Sequence, residues 1–154
     1  MPVLQRLQQL GLALPSVAAP VANYLPVKRD GDHLYISGQG PRNPDGSYHT
    51  GKVGDNVSTE EAYQHAQLAG LYLLAAAQSA VGDLEQVEVV KLFGMVNAIA
   101  EFTDHPQVIN GCSDLLVNVL GERGRHARSA IGMGSLPNGM TVEIEAVFKI
   151  LASA

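Results

Sequence analysis

Thr141-Val142-Glu143-Ile144-Glu145-Ala146-Val147-Phe148-Lys149-Ile150-Leu151 is the stretch on which the fold turns. Side chains alternate between the two faces of a strand, so its residues sort by parity. Val142, Ile144, Ala146, Phe148 and Ile150 share one face, which predicts packing against helices. Glu143, Glu145, Val147, Lys149 and Leu151 share the other. Acids mixed with aliphatics suit neither plain solvent nor a plain core. A subunit interface containing a polar pocket fits that mixture.

Upstream of this strand, Leu136-Pro137-Asn138-Gly139 reads as a turn and Ala127 to Met133 as another strand. Before them a helix follows His105-Pro106, with Val108, Cys112, Leu115 and Val119 as its buried stripe and Gly121 as its end. The β-branched run Val87 to Val96 predicts a strand. Ser58 and Glu61 have the spacing of a capping box, and Ala62, Ala66, Ala69, Leu73, Ala76 and Ala80 recur on one helical face, with Gly82 as the stop. Two apolar runs around Asp30-Gly31 predict a β-hairpin, and a brief strand is expected near Tyr48. The first residues predict a short helix rather than a signal peptide, followed by the Pro/Ala connector Leu14 to Pro20. Residues 1–19 thus form a helix and connector, and residues 20–154 a single domain. The order of elements predicts an α+β sheet with two long helices on one face.

The chain has 154 residues, 46% of them hydrophobic and only 16% charged. That charge content lies below the usual quarter, which suggests that part of the surface is covered by another subunit. Ten Lys and Arg stand against fifteen Asp and Glu, a net charge of −5, and Gly121 to Arg128 is the nearest thing to a basic stripe. This argues against nucleic-acid binding by general electrostatics. One cysteine, Cys112, excludes an intrachain disulfide and fits a cytoplasmic location. No apolar run is long enough to predict a membrane span.

Arg128 stands out among these residues. It lies on an expected strand of small, uncharged side chains, where a cation is costly unless paired. It forms a structural salt bridge to Glu143 or Glu145, or it clamps a ligand carboxylate through two parallel hydrogen bonds. Glu143 and Glu145 serve either as a salt-bridged edge or as an acid and base that handle a water. Cys112 reads as a small buried hydrophobe, and the five histidines show no metal-ligand spacing. Ser37-Gly38-Gln39-Gly40-Pro41 lacks the Lys-Ser/Thr of a phosphate loop and reads as a tight turn that can line a pocket. Tyr24 and Asn110 are polar residues beside apolar elements.

Several of these segments together resemble the Rid family of YjgF-type reactive intermediate deaminases, also labelled endoribonuclease L-PSP. The resemblance rests on Tyr24 in the N-terminal hairpin, on Leu34-Tyr35-Ile36-Ser37-Gly38-Gln39, on Gly82-Asp83-Leu84 before a Val-rich strand, and on Asn110 on the second helix. Its most specific part is Ala127-Arg128-Ser129-Ala130, then Leu136-Pro137, then Val142-Glu143-Ile144-Glu145-Ala146. It covers roughly Pro20 to Leu151. The resemblance implies a chorismate-mutase-like fold and a homotrimer with sites in the clefts between subunits. It also implies hydrolysis of 2-imino or enamino acids to 2-oxo acids and ammonia, with no metal or organic cofactor. By the same resemblance Arg128 grips the substrate carboxylate, Glu143 holds or deprotonates the attacking water, Tyr24 walls the pocket, and Ser37 and Asn110 line it. Many members carry a cysteine two residues after the arginine, where this chain has Ala130. That departure, the longer Gly121 to His126 segment, the N-terminal helix and the Asn110-Gly111-Cys112-Ser113-Asp114 stretch mark a divergent branch. A non-catalytic trimer that binds 2-oxo acids is the alternative expectation, and an endoribonuclease a third.

Overall fold

A computed structural model of the chain describes residues 1–17 and 22–152. Its strands are β1 (Val27–Asp30), β2 (His33–Gln39), β3 (Val87–Asn97), β4 (Ala127–Met133) and β5 (Val142–Ile150). They form one sheet in the order β1-β2-β5-β3-β4, in which β4 runs parallel to β3 and every other pair is antiparallel. The helices are α1 (Val3–Gln9), α2 (Thr59–Val81) and α3 (His105–Leu120). A parallel pair needs a long crossover, and α3 supplies it between β3 and β4. The strand that closes the sequence pattern, β5, sits in the middle of the sheet.

The parity of β5 holds. Val142, Ile144, Ala146 and Phe148 are buried on the helix side, while Glu145 on the other face is exposed. The α2 start is a true capping box: Ser58 Oγ accepts from the Glu61 amide, and the Glu61 carboxylate accepts from the Ser58 amide. Gly82 ends α2 at φ 80°, a left-handed value that suits glycine. Ala62, Ala66, Ala69, Leu73 and Ala76 are all buried, but Ala80 in the last turn of α2 is exposed. Every member of the α3 stripe, including Cys112, is buried.

Three expectations are corrected. Asp30 pairs with His33, so the hairpin loop is Gly31-Asp32, one residue later than the Asp30-Gly31 pair. Gly31 at φ +60° takes the first loop position, where a positive φ is required. Tyr24 precedes the hairpin rather than lying in a strand, and the strand near Tyr48 is a single bridge to Arg42. Of the connector Leu14 to Pro20, and so of the boundary at 19/20, residues 18–20 lie outside the described residues. Among the described residues no helix is long and apolar enough to cross a membrane.

Small residues set the spacing of the helix layer. A methyl on Gly70 would meet the Cys112 Sγ at 3.0 Å, and one on Gly111 would collide with the Tyr63 backbone carbonyl of α2. A backbone atom cannot swing aside as a side chain can, so the helices would have to separate. Gly111→Ala is therefore expected to destabilise the protein by about 1–3 kcal/mol despite its gain in helix propensity. A lowered urea midpoint at unchanged slope is the expected readout.

Candidate active site

Arg128 projects from β4 on the helix side of the sheet. Its Cα partner is Leu92 of β3, whose partner in β5 is Ala146, and both of these are buried in the core. The guanidinium reaches α3, where Nη1 donates to Ser113 Oγ at 2.9 Å and Nη2 to the Pro106 carbonyl at 3.4 Å. Pro106, Asn110 and Ser113 are spaced along one stripe of α3, so Asn110 lies between the two contacts. Half-buried Arg128 has no acidic partner among the described residues.

Glu143 and Glu145 lie on the opposite face. Glu145 is in register with Phe93, and Glu143 with Met95. The expected alternative for Arg128, a salt bridge to one of these acids, is thereby overturned: β-sheet alternation places the sheet between them. The Glu143 carboxylate lies flat over Gly38, where an added methyl would sit 2.7 Å from its Oε1. Gly38 is thus small because a side chain there would displace the acid. Burial raises the Glu143 carboxyl above its ordinary pKa, and the charge of Glu145 raises it further.

Tyr24 and Ser37 belong to this second face. They help to line a concavity of about 580 Å³ together with Lys28, Lys91, Phe93 and Glu145. Lys28, Tyr35, Val147 and Lys91 follow one another across the sheet in a single row. The Ser37 hydroxyl donates to the Leu25 carbonyl at 2.6 Å, which ties the Tyr24 segment to β2. Ser37 therefore shapes the wall. The concavity includes Glu145 and not Glu143 among its walls.

The expected residues therefore form two groups. Arg128 and Asn110 sit at the α3–β4 edge, while Tyr24, Ser37 and Glu143 sit on the helix-free face. Sequence reasoning missed Lys28, Lys91 and Phe93 in the concavity, and Ser113 and His126 beside Arg128. His126 shares parity with Arg128, a signal that was present; nothing in the sequence brings Ser113 to it. Cys112 is fully buried and burial pushes its thiol up to about 12, which makes it a poor nucleophile. Among the described residues no cluster of three His, Cys, Asp or Glu side chains could hold a metal ion.

A model of the family described as YjgF/chorismate mutase-like, putative endoribonuclease matches residues 4–143. The chain belongs to that family. Protein TCP17 of Trypanosoma cruzi is 41% identical over 150 residues, covering 96% of this chain and 94% of its own. The crystal structure of Atu1372 from Agrobacterium tumefaciens, a protein of unknown function, superposes with a TM-score of 0.89 at 43% identity, covering 96% of this chain and 93% of that one. RidA from the Antarctic bacterium Psychrobacter sp. PAMC 21119 superposes with a TM-score of 0.61 at 25% identity, covering 90% and 96%. The YjgF chorismate-mutase-like fold accounts for the sheet, and for the helix layer on one side of it.

In this YjgF-family chain Glu143 has a consequence for stability. Its carboxyl is raised in the folded protein, so the folded state holds the proton more tightly than the unfolded chain does. The stabilising contribution is present below the ordinary carboxyl range and is lost as pH rises through the folded-state value. Ionised Glu143 is thus a net cost at neutral pH. Glu143→Gln is expected to raise the urea midpoint at about pH 7.5, with the gap closing near pH 4. A gap that is constant across that range would refute the assignment.

Proposed function

We propose that this protein hydrolyses reactive 2-imino and enamino acids to 2-oxo acids and ammonia, with Arg128 as the carboxylate clamp. The observation that carries the reading is the state of Arg128: half-buried, held by neutral groups, and without an acidic partner among the described residues. An arginine left in that condition is suited to an external anion, which its planar fork meets through paired hydrogen bonds.

The two groups of residues meet only if copies of the chain combine. We take the assembly to be a homotrimer in which the β4 edge of one copy faces the helix-free sheet face of the next. Each cleft then has Arg128 and Asn110 on one wall and Tyr24, Ser37 and Glu143 on the other. The low charge content and the open face rich in apolar side chains support that arrangement. The location is taken as cytoplasmic.

The chemistry asks little of the protein. A protonated imine carbon is already electrophilic. Water adds to it, and Glu143 accepts the proton that the water loses. The carbinolamine then collapses: Glu143 returns the proton to nitrogen, the C–N bond breaks, and the hydroxyl proton is lost as the C=O bond forms, leaving with the ammonia as ammonium. A carboxyl that burial holds above its ordinary value is better matched to taking up and returning one proton. Anchoring the carboxylate and excluding bulk water supply the remainder. No metal or organic cofactor takes part in this scheme.

The division of Arg128 from Glu143 gives one specific ground for a second reading, a trimer that binds 2-oxo acids without turnover. The clamp can act where the base does not. Ammonia release from freshly generated 2-iminobutanoate, measured against buffer, separates the two. Under the deaminase reading the parent protein accelerates release, Glu143→Gln abolishes turnover while retaining pyruvate binding, and Arg128→Ala loses both. The binding loss for Arg128→Ala is expected at about 2–5 kcal/mol, roughly thirtyfold or more in affinity. No acceleration by the parent, with pyruvate binding intact, would leave the binding protein. RNA cleavage that survives in Arg128→Ala would not belong to this site, and a chain of net charge −5 is poorly suited to polyanions.

A further inference from the structure

The guanidinium of Arg128 ends a chain of hydrogen bonds whose every direction is fixed. His126 Nδ1 lies 2.6 Å from the Gly124 carbonyl, which can only accept, so the ring hydrogen is on Nδ1. A neutral ring then offers Nε2 as an acceptor. Ser113 Oγ is 2.9 Å from that nitrogen, so the serine hydroxyl donates to it. The lone pairs of the serine oxygen are left to face Arg128, whose Nη1 donates to it at 2.9 Å.

The parts of this chain come from three elements. Ser113 is on α3, Arg128 on β4, and Gly124 closes the short 3-10 turn Gly121–Gly124 that joins them. Gly124 is buried with no room for a side chain, because an added methyl would strike the backbone of Leu116 and would come within 2.9 Å of Val117 Cα. The carbonyl that orients His126 is thus held by backbone packing. Burial and the neighbouring Arg128 charge favour the neutral ring, and the bond to Gly124 opposes them.

We infer that Ser113 and His126 are positioning residues for the carboxylate clamp, fixing the plane of the Arg128 guanidinium so that its remaining N–H donors face an incoming anion. This rests on the reading of Arg128 as the clamp. The physical gain is preorganisation: an arginine already locked in one rotamer loses little conformational entropy on binding. The acceptor that holds it is a neutral hydroxyl, so it steadies the guanidinium without neutralising it. A carboxylate in that place would hold the arginine more tightly, but it would neutralise the cation and abolish the site. The Gly121 to His126 segment thereby acquires a task, as the frame that delivers one carbonyl and one imidazole.

Calorimetric titration of the full chain with pyruvate tests the inference. Ser113→Ala and His126→Ala are each expected to weaken pyruvate binding about tenfold. Ser113→Thr, which keeps the hydroxyl, is expected to restore it, a rescue that a merely structural role for the hydroxyl would show in thermal midpoint rather than in affinity. In an Arg128→Ala background neither substitution should lower the residual affinity further. His126→Asn provides a smaller change of the same link should His126→Ala fold poorly, with the same loss expected. If Arg128→Ala abolishes binding while Ser113→Ala and both His126 variants stay within twofold of the parent, the positioning role is wrong and the clamp stands. If Arg128→Ala binds pyruvate as the parent does, the clamp itself is wrong and the positioning role fails with it.

Discussion

The alternation of side chains along β4 and β5 governs the chemistry open to this chain. Arg128 is in line with Leu92 and Ala146, and so it points towards the helices. Glu143 is in line with Met95 and points the other way. No rotamer carries either group through a packed sheet. A single copy can present a guanidinium at its edge or a carboxylic acid on its open face, but it cannot close both around one small molecule. Chemistry that needs the two together needs a second copy of the chain.

The helix layer holds Arg128 in place. Glycines and alanines bring α2 and α3 close, and α3 then holds Pro106, Asn110 and Ser113 against β4 at a set height. Side chains mounted on packed helices and strands are placed more precisely than those on loops. The open face is built differently. Its concavity mixes Phe93 with Lys28, Lys91 and Glu145, and its wall at Tyr24 is held through Ser37.

Much of this was legible in the amino-acid order. The strand parity of β5, the capping box at Ser58 and the stripe of α3 are local patterns, and local patterns survive folding. The hairpin turn slipped by one residue because Asp30-Gly31 and Gly31-Asp32 compete for the same loop, and either accepts a positive φ at Gly31; the pairing of Asp30 with His33 places the loop at the second. Arg128 was conspicuous as a cation on a strand of small residues. Its relation to Glu143 was not, since separation along the chain says nothing of which face each strand presents until the register is known. Ser113 escaped for a similar reason: a serine inside a helix is ordinary until a neighbouring strand brings an imidazole and a guanidinium to it.

A pocket whose walls come from different molecules ties occupancy to concentration. Where Arg128 of one copy and Glu143 of another must converge on the same small anion, dilution that separates the copies also empties the pocket. The reverse holds by thermodynamic necessity, and a bound anion draws the copies together by the same free energy. Under the proposed assembly, the placement of two side chains on opposite sides of a sheet makes the bound anion a participant in the quaternary structure.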